Sequence, residues 1–336
     1  MITYKDSGVD IDKGNRLVDR IKELTKDLSK DGIVSSIGGF SALFSLEHFG
    51  SDLILSSATD GVGTKLIVAQ MADKHDTVGI DLVAMNVNDI ITSGTVPIFF
   101  LDYIAYSKLE DSVLSDIVKG IVDGLKMSNA SLIGGETAQM PDIYKDGEYD
   151  LAGFCVGIAK PEDLIKNDIS ENDVVIGISS NGFHSNGYSL LRKLFFDVAG
   201  YKIDSMLENK KTVAEVLLEP TNIYVSVFKK LKQYTKAAVH ITGGGFYENI
   251  PRVLSNKFDV VIEKNSLPSV DIFKIAQDIG KIPDDEMYRT FNMGVGFVIV
   301  IDEKDKDVVT EIIDNNGFES YVMGYVKNGS GSVEIV

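Results

Sequence analysis

The chain carries the stretch ATDGVGTKL at residues 58–66, directly after a short apolar run at 53–55. The apolar run predicts a strand, and the glycines after it predict a loop whose backbone amides can point at anionic oxygens. A carboxylate suits a divalent cation and a lysine suits phosphate charge, so the stretch predicts a site for a metal-bound phosphate. The residues that supply these contacts are Asp60, Gly61, Gly63 and Lys65. A tight turn after a strand is the alternative explanation of an isolated Asp-Gly pair.

Composition narrows the class of protein without naming a function. The 336 residues suffice for two domains, with 44% hydrophobic and 25% charged residues, as in globular proteins. A formal net charge of −17 argues against nucleic acid as a partner. The single cysteine, Cys155, lies in an apolar run and is expected to be a buried small side chain. No apolar stretch approaches the roughly 18 residues that span a bilayer, so we expect no membrane association and a cytoplasmic location.

Alternating helix and strand patterns predict an α+β (mixed α/β) chain of two domains. The polar segment at 160–172 suggests a boundary, dividing the chain into 1–165 and 166–336. An amphipathic helix is predicted at 17–28, and the chain is expected to end in a hairpin. Further helices are predicted at 77–92, 112–127 and 304–315, and strands at 53–57, 98–106, 131–133, 151–158, 174–179, 260–263 and 294–301.

The predicted helix at 77–92 is apolar except for a stripe formed by Asp81, Asn88 and Asp89. Spacings of seven and eight residues bring these side chains to one face of a helix. Since buried carboxylates need a partner or a metal, we favour Mg²⁺ ligands that converge with Asp60. A solvated stripe on a half-exposed helix is the alternative.

Three glycine- or serine-rich loops are further candidates. The loop at 133–141 presents Glu136, although a plain Gly-Gly turn also explains it. The loop at 179–189 places His184 among serines and asparagines before a predicted helix, where it could contact a substrate or serve a structural role. The loop at 240–251 contains three consecutive glycines, which permit either a ligand or a closely packed helix. Neither a GxxxxGK[ST] loop nor a GxGxxG loop after a strand is present, so any ATP site is of another kind.

Taken together, eight motifs along nearly the whole chain resemble the phosphoribosylformylglycinamidine cyclo-ligase family. In chain order they are SGVDIDKGN (7–15), GGF (38–40), DGVGTKL (60–66), GIDLVAMNVNDI (79–90), GGETAQMP (134–141), SNGFHSNGYSL (180–190), HITGGGFYENIPRVL (240–254) and MYRTFNMGVG (287–296).

The resemblance implies an N-terminal sheet domain that dimerises through a strand barrel, and a C-terminal α/β sandwich domain that binds substrate. It implies a homodimer that uses ATP and Mg²⁺ to convert formylglycinamidine ribonucleotide to aminoimidazole ribonucleotide, ADP and phosphate. The implied metal ligands are Asp60, Asp89, Glu136 and Asp81. The implied nucleotide contacts are Gly61, Gly63, Thr64, Lys65 and Asn88. The implied substrate contacts are His184, Asn186, Thr242, Gly243, Gly244 and Gly245, and the implied catalytic residues are Lys65 and His184.

Two alternatives remain at this point. A sister enzyme of the superfamily, such as thiamine-monophosphate kinase or selenophosphate synthetase, would share an acidic ATP site but not the HSNGYSL and HITGGGFYENIP pair. A non-catalytic nucleotide-binding regulator is disfavoured by the intact set of Asp60, Lys65 and Asp89.

Overall fold

The structure is a computed structural model that describes residues 32–35 and 39–336. The predicted helix at 17–28, the motif at 7–15 and Gly38 lie outside the described residues.

The N-terminal half is built on a five-stranded sheet with the strand order β1-β2-β5-β3-β4. All neighbouring strands are antiparallel except β3 and β4, which run parallel. The strands are β1 (Ala42–Ser45), β2 (Ile54–Gly61), β3 (Val96–Tyr106), β4 (Ser131–Gln139) and β5 (Tyr149–Ala159).

Three helices accompany this sheet: α1 (Lys65–Ala72), α2 (Val78–Thr92) and α3 (Asp111–Ser128). Helix α2 packs on β2 and β5 and also contacts the C-terminal half of the chain. All of its residues are buried except Ile80 and Asp89. Close packing against α3 requires glycine, because a Cβ on Gly79 would lie 2.4 Å from the carbonyl oxygen of Ile117. The helix therefore forms the centre of the molecule, and its polar residues have to be satisfied by protein groups or a ligand.

The C-terminal half is built on a six-stranded sheet with the order β11-β8-β10-β6-β9-β7, antiparallel except between β11 and β8. Its strands are β6 (Val174–Ser179), β7 (Thr235–His240), β8 (Phe258–Ile262), β9 (Val295–Ile301), β10 (Ser320–Asn328) and β11 (Val333–Ile335). Its helices are α4 (Tyr188–Arg192), α5 (Val213–Leu217), α6 (Val225–Leu231), α7 (Gly245–Asn249), α8 (Asp271–Gly280), α9 (Asp284–Thr290) and α10 (Lys306–Asp314).

The predicted α+β class is confirmed, with one sheet in each half of the chain. The boundary at 165/166 falls between β5 and β6, and the division into 1–165 and 166–336 stays a prediction. Helix α1 was not predicted, because its buried residues include Lys65 beside Leu66, Val68 and Ala69 and show no simple apolar face. None of the described helices is long and apolar enough to cross a membrane.

The predicted closing hairpin is wrong, since β11 pairs in parallel with β8 and not with β10. Asp259 explains this path. Its Oδ1 accepts hydrogen bonds from the backbone N–H groups of Ser330, Gly331 and Ser332 at 2.7, 2.9 and 2.8 Å. These bonds turn the chain after β10 so that β11 can pair with the open edge of β8.

We predict that Asp259→Asn is less stable than the wild type at pH 7, and that the difference shrinks as the pH falls below about 4. The N–H groups of Ser332 and Ser330 hold the pKa of Asp259 at about 2. Because this value lies below that of an unfolded aspartate, the stabilisation is present above about pH 4 and is lost towards pH 2. Thermal melts at pH 7 and pH 3 measure it, with Asp278→Asn on the exposed face of α8 as control. A difference independent of pH would contradict the assignment.

Candidate active site

A cleft of about 540 Å³ lies where the loop after β2 meets the loop before α4. It joins the two halves of the chain, because the first loop belongs to the N-terminal half and the second to the C-terminal half. Of the residues predicted for a site, those that line it are Asp60, Gly61, Gly63, Thr64 and Asn186. The Thr64 hydroxyl lies 3.1 Å from that of Ser189, so the two loops also touch. Two regions predicted separately from the sequence thus form one cavity.

Lys65 does not face this cleft. Its side chain is fully buried, and Nζ donates to Asp81 Oδ1 at 2.9 Å, the His184 carbonyl at 2.9 Å and the Glu219 carbonyl at 2.6 Å. An ammonium group has three N–H donors, so all are used by protein acceptors. Burial lowers the pKa of Lys65, and the adjacent charge of Asp81 opposes this shift. Lys65 therefore joins α2 to two loops of the C-terminal half, and it has no N–H donor left for a phosphate.

Asp81, predicted as a metal ligand, is the partner of Lys65 and is equally buried. Its Oδ1 also accepts from the backbone N–H and the hydroxyl of Thr221, both at 2.7 Å, and from the Ser185 hydroxyl at 3.1 Å. These contacts attach α2 to two loops of the C-terminal half. We do not include Asp81 among the candidate metal ligands, because its carboxylate is enclosed by protein donors.

Asn88, predicted to contact nucleotide, makes a similar attachment about two helical turns after Asp81 on α2. Its amide donates to the Asn222 carbonyl at 2.8 Å, and its carbonyl oxygen accepts from the Tyr224 N–H at 3.0 Å. The polar stripe of α2 is thus largely a docking surface for the C-terminal half. Only Asp89 in this stripe keeps exposure, with 18% of its side chain accessible.

Asp60 and Asp89 form the candidate cation site. Desolvation, and then the nearby charge of Asp89, raise the pKa of Asp60 to about 6. Asp60 is exposed to solvent, so desolvation is weaker here than for a buried carboxyl, and the Gly61 N–H that donates to Oδ1 at 2.7 Å opposes the shift. His240, at the end of β7, contacts Asp89 Oδ1 through Nδ1 at 2.8 Å. A divalent cation between two such carboxylates would relieve their repulsion.

Glu136 lies away from this pair. Asp60 is level with Gly153 on β5, which is level with Asp102 on β3 and then with Gly135 on β4. Glu136 follows Gly135, so alternation along the strand turns its side chain to the opposite face of the sheet. Within residues 32–35 and 39–336, no three His, Cys, Asp or Glu side chains are close enough to hold a metal by themselves. The four predicted metal ligands are therefore not assembled within one chain of the described structure.

His184 is also placed outside the cleft. Its side chain is 2% exposed, and neither ring nitrogen has a hydrogen-bond partner in the described structure. Burial lowers its pKa well below the ordinary value, so the ring is neutral. The backbone has φ = 57°, a left-handed conformation uncommon outside glycine, and its carbonyl accepts from Lys65. The observed contribution of His184 is the shape of the loop, while its predicted contact with substrate has no support in this geometry.

The glycine loop after β7 lies next to the cleft. Asn186 Oδ1 is 3.4 Å from the position that a Cβ on Gly243 would occupy. Asn249 donates to the carbonyls of Thr242, Gly243 and Gly245 at 3.3, 3.3 and 2.7 Å. The hydrogen bonds from the buried Asn249 side chain therefore fix the shape of this loop beside Asn186.

Sequence reasoning found the loops of this site but gave no role to three residues that build it: His240, Asn249 and Thr221. His240 had a signal, since a polar ring at the end of a buried strand needs a partner. Thr221 and Asn249 had none, because their partners are distant in sequence or are backbone carbonyls.

We predict that Lys65→Met lowers the free energy of unfolding by about 3–5 kcal/mol, because it leaves the Asp81 carboxylate buried without its countercharge. Urea denaturation measures the loss. The control is Lys74→Met, which removes an exposed lysine paired with Asp76 at 3.2 Å and should cost less than about 1 kcal/mol. Equal stability of the two variants would show that Lys65 is not a structural contact.

Comparison with known proteins shows the family to which the chain belongs. The family model described as AIR synthase related protein, N-terminal domain, matches residues 41–159, and the corresponding C-terminal domain model matches residues 170–336. A relative from Thermoanaerobacter pseudethanolicus, named phosphoribosylformylglycinamidine cyclo-ligase, is 49% identical over 99% of both chains. A relative of the same name from Caldanaerobacter subterraneus subsp. tengcongensis is 48% identical over 98% of this chain and 99% of its own.

Among solved structures, AaThiL complexed with AMPPCP and TMP is similar to this chain with a TM-score of 0.65. The match covers 95% of this chain and 92% of that one at 16% identity, so it supports the fold alone. The two family models together match residues 41–159 and 170–336, and the relatives match at least 98% of the chain. The chain therefore belongs to the AIR synthase related protein family, among the relatives named phosphoribosylformylglycinamidine cyclo-ligase.

Proposed function

We propose that this chain catalyses the ATP-dependent cyclisation of formylglycinamidine ribonucleotide to 5-aminoimidazole ribonucleotide, with release of ADP and phosphate. The observation that carries the proposal is the 49% identity over 99% of both chains to a relative with this enzyme's name. The cleft between the Asp60 loop and the loop containing Asn186 supports it, because its lining combines the Asp60 carboxylate with the exposed Gly63. The reaction belongs to purine biosynthesis, and we propose a cytoplasmic location for it.

The chemistry explains why ATP is needed. An amide oxygen is a poor leaving group, so the formyl oxygen attacks the γ-phosphorus of ATP and ADP leaves. The amidine nitrogen then attacks the formyl carbon, a proton is lost from that nitrogen, and phosphate departs as the ring closes. Positioning and charge neutralisation supply most of the catalysis in such a phosphoryl transfer.

For the nucleotide we propose the loop that follows β2. The amide of Gly63 and the hydroxyl of Thr64 would contact phosphate oxygens. The amide of Gly61 donates to Asp60 Oδ1 at 2.7 Å in the free chain, so it would reach a phosphate only after Asp60 turns towards the cation. A distant relative in fold, AaThiL, has been solved with AMPPCP, an analogue of ATP, which is consistent with a nucleotide site in this fold.

For Mg²⁺ we propose Asp60 and Asp89. Mg²⁺ is commonly held by one or two protein carboxylates together with phosphate oxygens and water, so a third carboxylate is not required. Desolvation and then the charge of Asp89 raise the pKa of Asp60 to about 6, and a cation bound there would relieve the second of these causes. The cation would neutralise the phosphates during transfer. Glu136 stays a prediction that a second chain would have to satisfy.

Lys65, Asp81 and Asn88 receive a different role from the one expected from sequence. We propose that they fix the walls of the cleft, since each is buried and bonded to a loop of the C-terminal half. His184 contributes through its backbone carbonyl in the same way. For the substrate we propose Asn186, which lines the cleft, together with Thr242 and the glycines at 243–245, because Gly243 lies next to the Asn186 side chain.

We propose a homodimer that forms through the outer face of the first sheet. Large apolar side chains are exposed there, including Tyr103 (39%) and Phe154 (41%), whereas the opposite face packs against α2. Such a patch is unusual on a monomer and typical of an interface. A barrel of strands across the dimer, as the sequence resemblance implies, would cover it.

The proposed function is tested by measuring ADP and aminoimidazole ribonucleotide formation in parallel from ATP, Mg²⁺ and formylglycinamidine ribonucleotide. We expect equal amounts of both products, dependent on that substrate. Asp60→Asn should lower kcat/KM by about 10²- to 10³-fold, because it removes a charge that organises the phosphates. Asp123→Asn on the exposed face of α3 is the control. Turnover of ATP with another acceptor only, such as thiamine monophosphate, would point to a sister enzyme.

The proposed dimer is tested with Phe154→Asp, which places a charge in the apolar patch. We expect the wild type to sediment as a dimer in analytical ultracentrifugation and the variant as a monomer. Val118→Asp, at an exposed apolar position on α3, should remain dimeric. A monomeric wild type, or a dimeric Phe154→Asp protein, would exclude this interface.

A further inference from the structure

His240 connects the C-terminal half to the candidate cation site of the N-terminal half. It is the last residue of β7, its side chain is completely buried, and Nδ1 lies 2.8 Å from Asp89 Oδ1 on α2. A buried histidine whose ring makes its only hydrogen bond to one carboxylate either stabilises the core or orients that carboxylate.

The ring of His240 makes no second hydrogen bond within the described residues. An ionised carboxylate can only accept, so we place the proton on Nδ1. Nε2 is buried and has no hydrogen-bond partner among the described residues. The backbone of His240 pairs with Phe297 in the sheet, and its ring lies 6.4 Å from the ring of Phe297. The sheet therefore fixes the direction in which Nδ1–H points.

Asp89 is the residue of α2 for which direction matters. Asp81 and Asn88 are buried and bonded to the C-terminal half, whereas Asp89 keeps exposure next to Asp60. Oδ1 of Asp89 is held by His240, and no hydrogen bond to Oδ2 is present in the described part of the chain. One oxygen is thus anchored and the other is available. Anchoring of a ligating carboxylate by a hydrogen bond is common around metals and is important for affinity.

We propose that His240 is a positioning residue that orients Asp89 towards a divalent cation held together with the nucleotide phosphates. This inference rests on the proposed function, because it takes Asp60 and Asp89 as the cation site. It adds that the C-terminal half completes this site without touching the cation. Correct docking of the two halves is then a condition for cation binding.

The test compares variants at position 240 by calorimetric titration of AMPPCP at a series of Mg²⁺ concentrations. His240→Leu keeps a buried apolar side chain but removes the donor, and it should raise the half-saturating Mg²⁺ concentration by about 10- to 100-fold. His240→Asn should stay near the wild type, because its amide nitrogen can occupy the position of Nδ1. His75→Leu is the matched control, since His75 is also buried and its Nδ1 lies 2.9 Å from the Tyr149 hydroxyl.

If His240→Leu does not fold, His240→Gln replaces it. The amide of glutamine reaches the position of Nε2 and not that of Nδ1, so this variant should also raise the half-saturating Mg²⁺ concentration. The inference is overturned if the leucine or glutamine variant has the half-saturating Mg²⁺ concentration of the wild type. It is also overturned if the asparagine and leucine variants raise that concentration equally, because that result would indicate a packing role alone. Nucleotide binding by the wild type without any need for Mg²⁺ is a separate result. It would remove the cation assignment in the proposed function, and this inference with it.

Discussion

The buried contact between Lys65 and Asp81 is the constraint on which the cleft depends. Both charges are removed from water, so each is tolerable only while the other and the surrounding donors and acceptors stay in place. Those partners include the His184 and Glu219 carbonyls and Thr221. A single charge pair therefore fixes the first turn of α1, the first turn of α2 and two loops of the C-terminal half. The cleft inherits its shape from this arrangement before any ligand binds.

The cleft also has to attract a polyanion to a chain of net charge −17. Its lining contains no lysine, and the charged groups that line it are the carboxylates of Asp60 and Asp150. A divalent cation resolves this conflict, because it converts Asp60 and Asp89 from a source of repulsion into a phosphate-binding element.

Much of the fold was predictable from the sequence, and the strand Val174–Ser179 and the helix Val78–Thr92 agree with the patterns within a residue. Those patterns are local, and burial imposes them on each segment. The partners of Lys65 and of the α2 stripe were not predictable, because they lie 16 to 154 residues away and several are backbone carbonyls that every residue carries. The stripe was correctly identified as unusual, but spacing on a helix does not say whether its neighbour is a metal or a loop. The position of Glu136 was not predictable for a related reason, since a one-residue step in a strand changes the face of the sheet, and its role as a metal ligand stays a prediction.

The central claim is that nucleotide binds in the cleft between the Asp60 loop and the Asn186 loop. A crystal structure of the protein with Mg²⁺ and AMPPCP tests it most directly. We predict phosphate density against the amides of Gly61 and Gly63, a cation between Asp60 and Asp89, and Lys65 still bonded to Asp81. Nucleotide bound elsewhere, for example in the lysine-lined groove beside residues 162–168, or Lys65 released from Asp81 to contact a phosphate, would contradict the account.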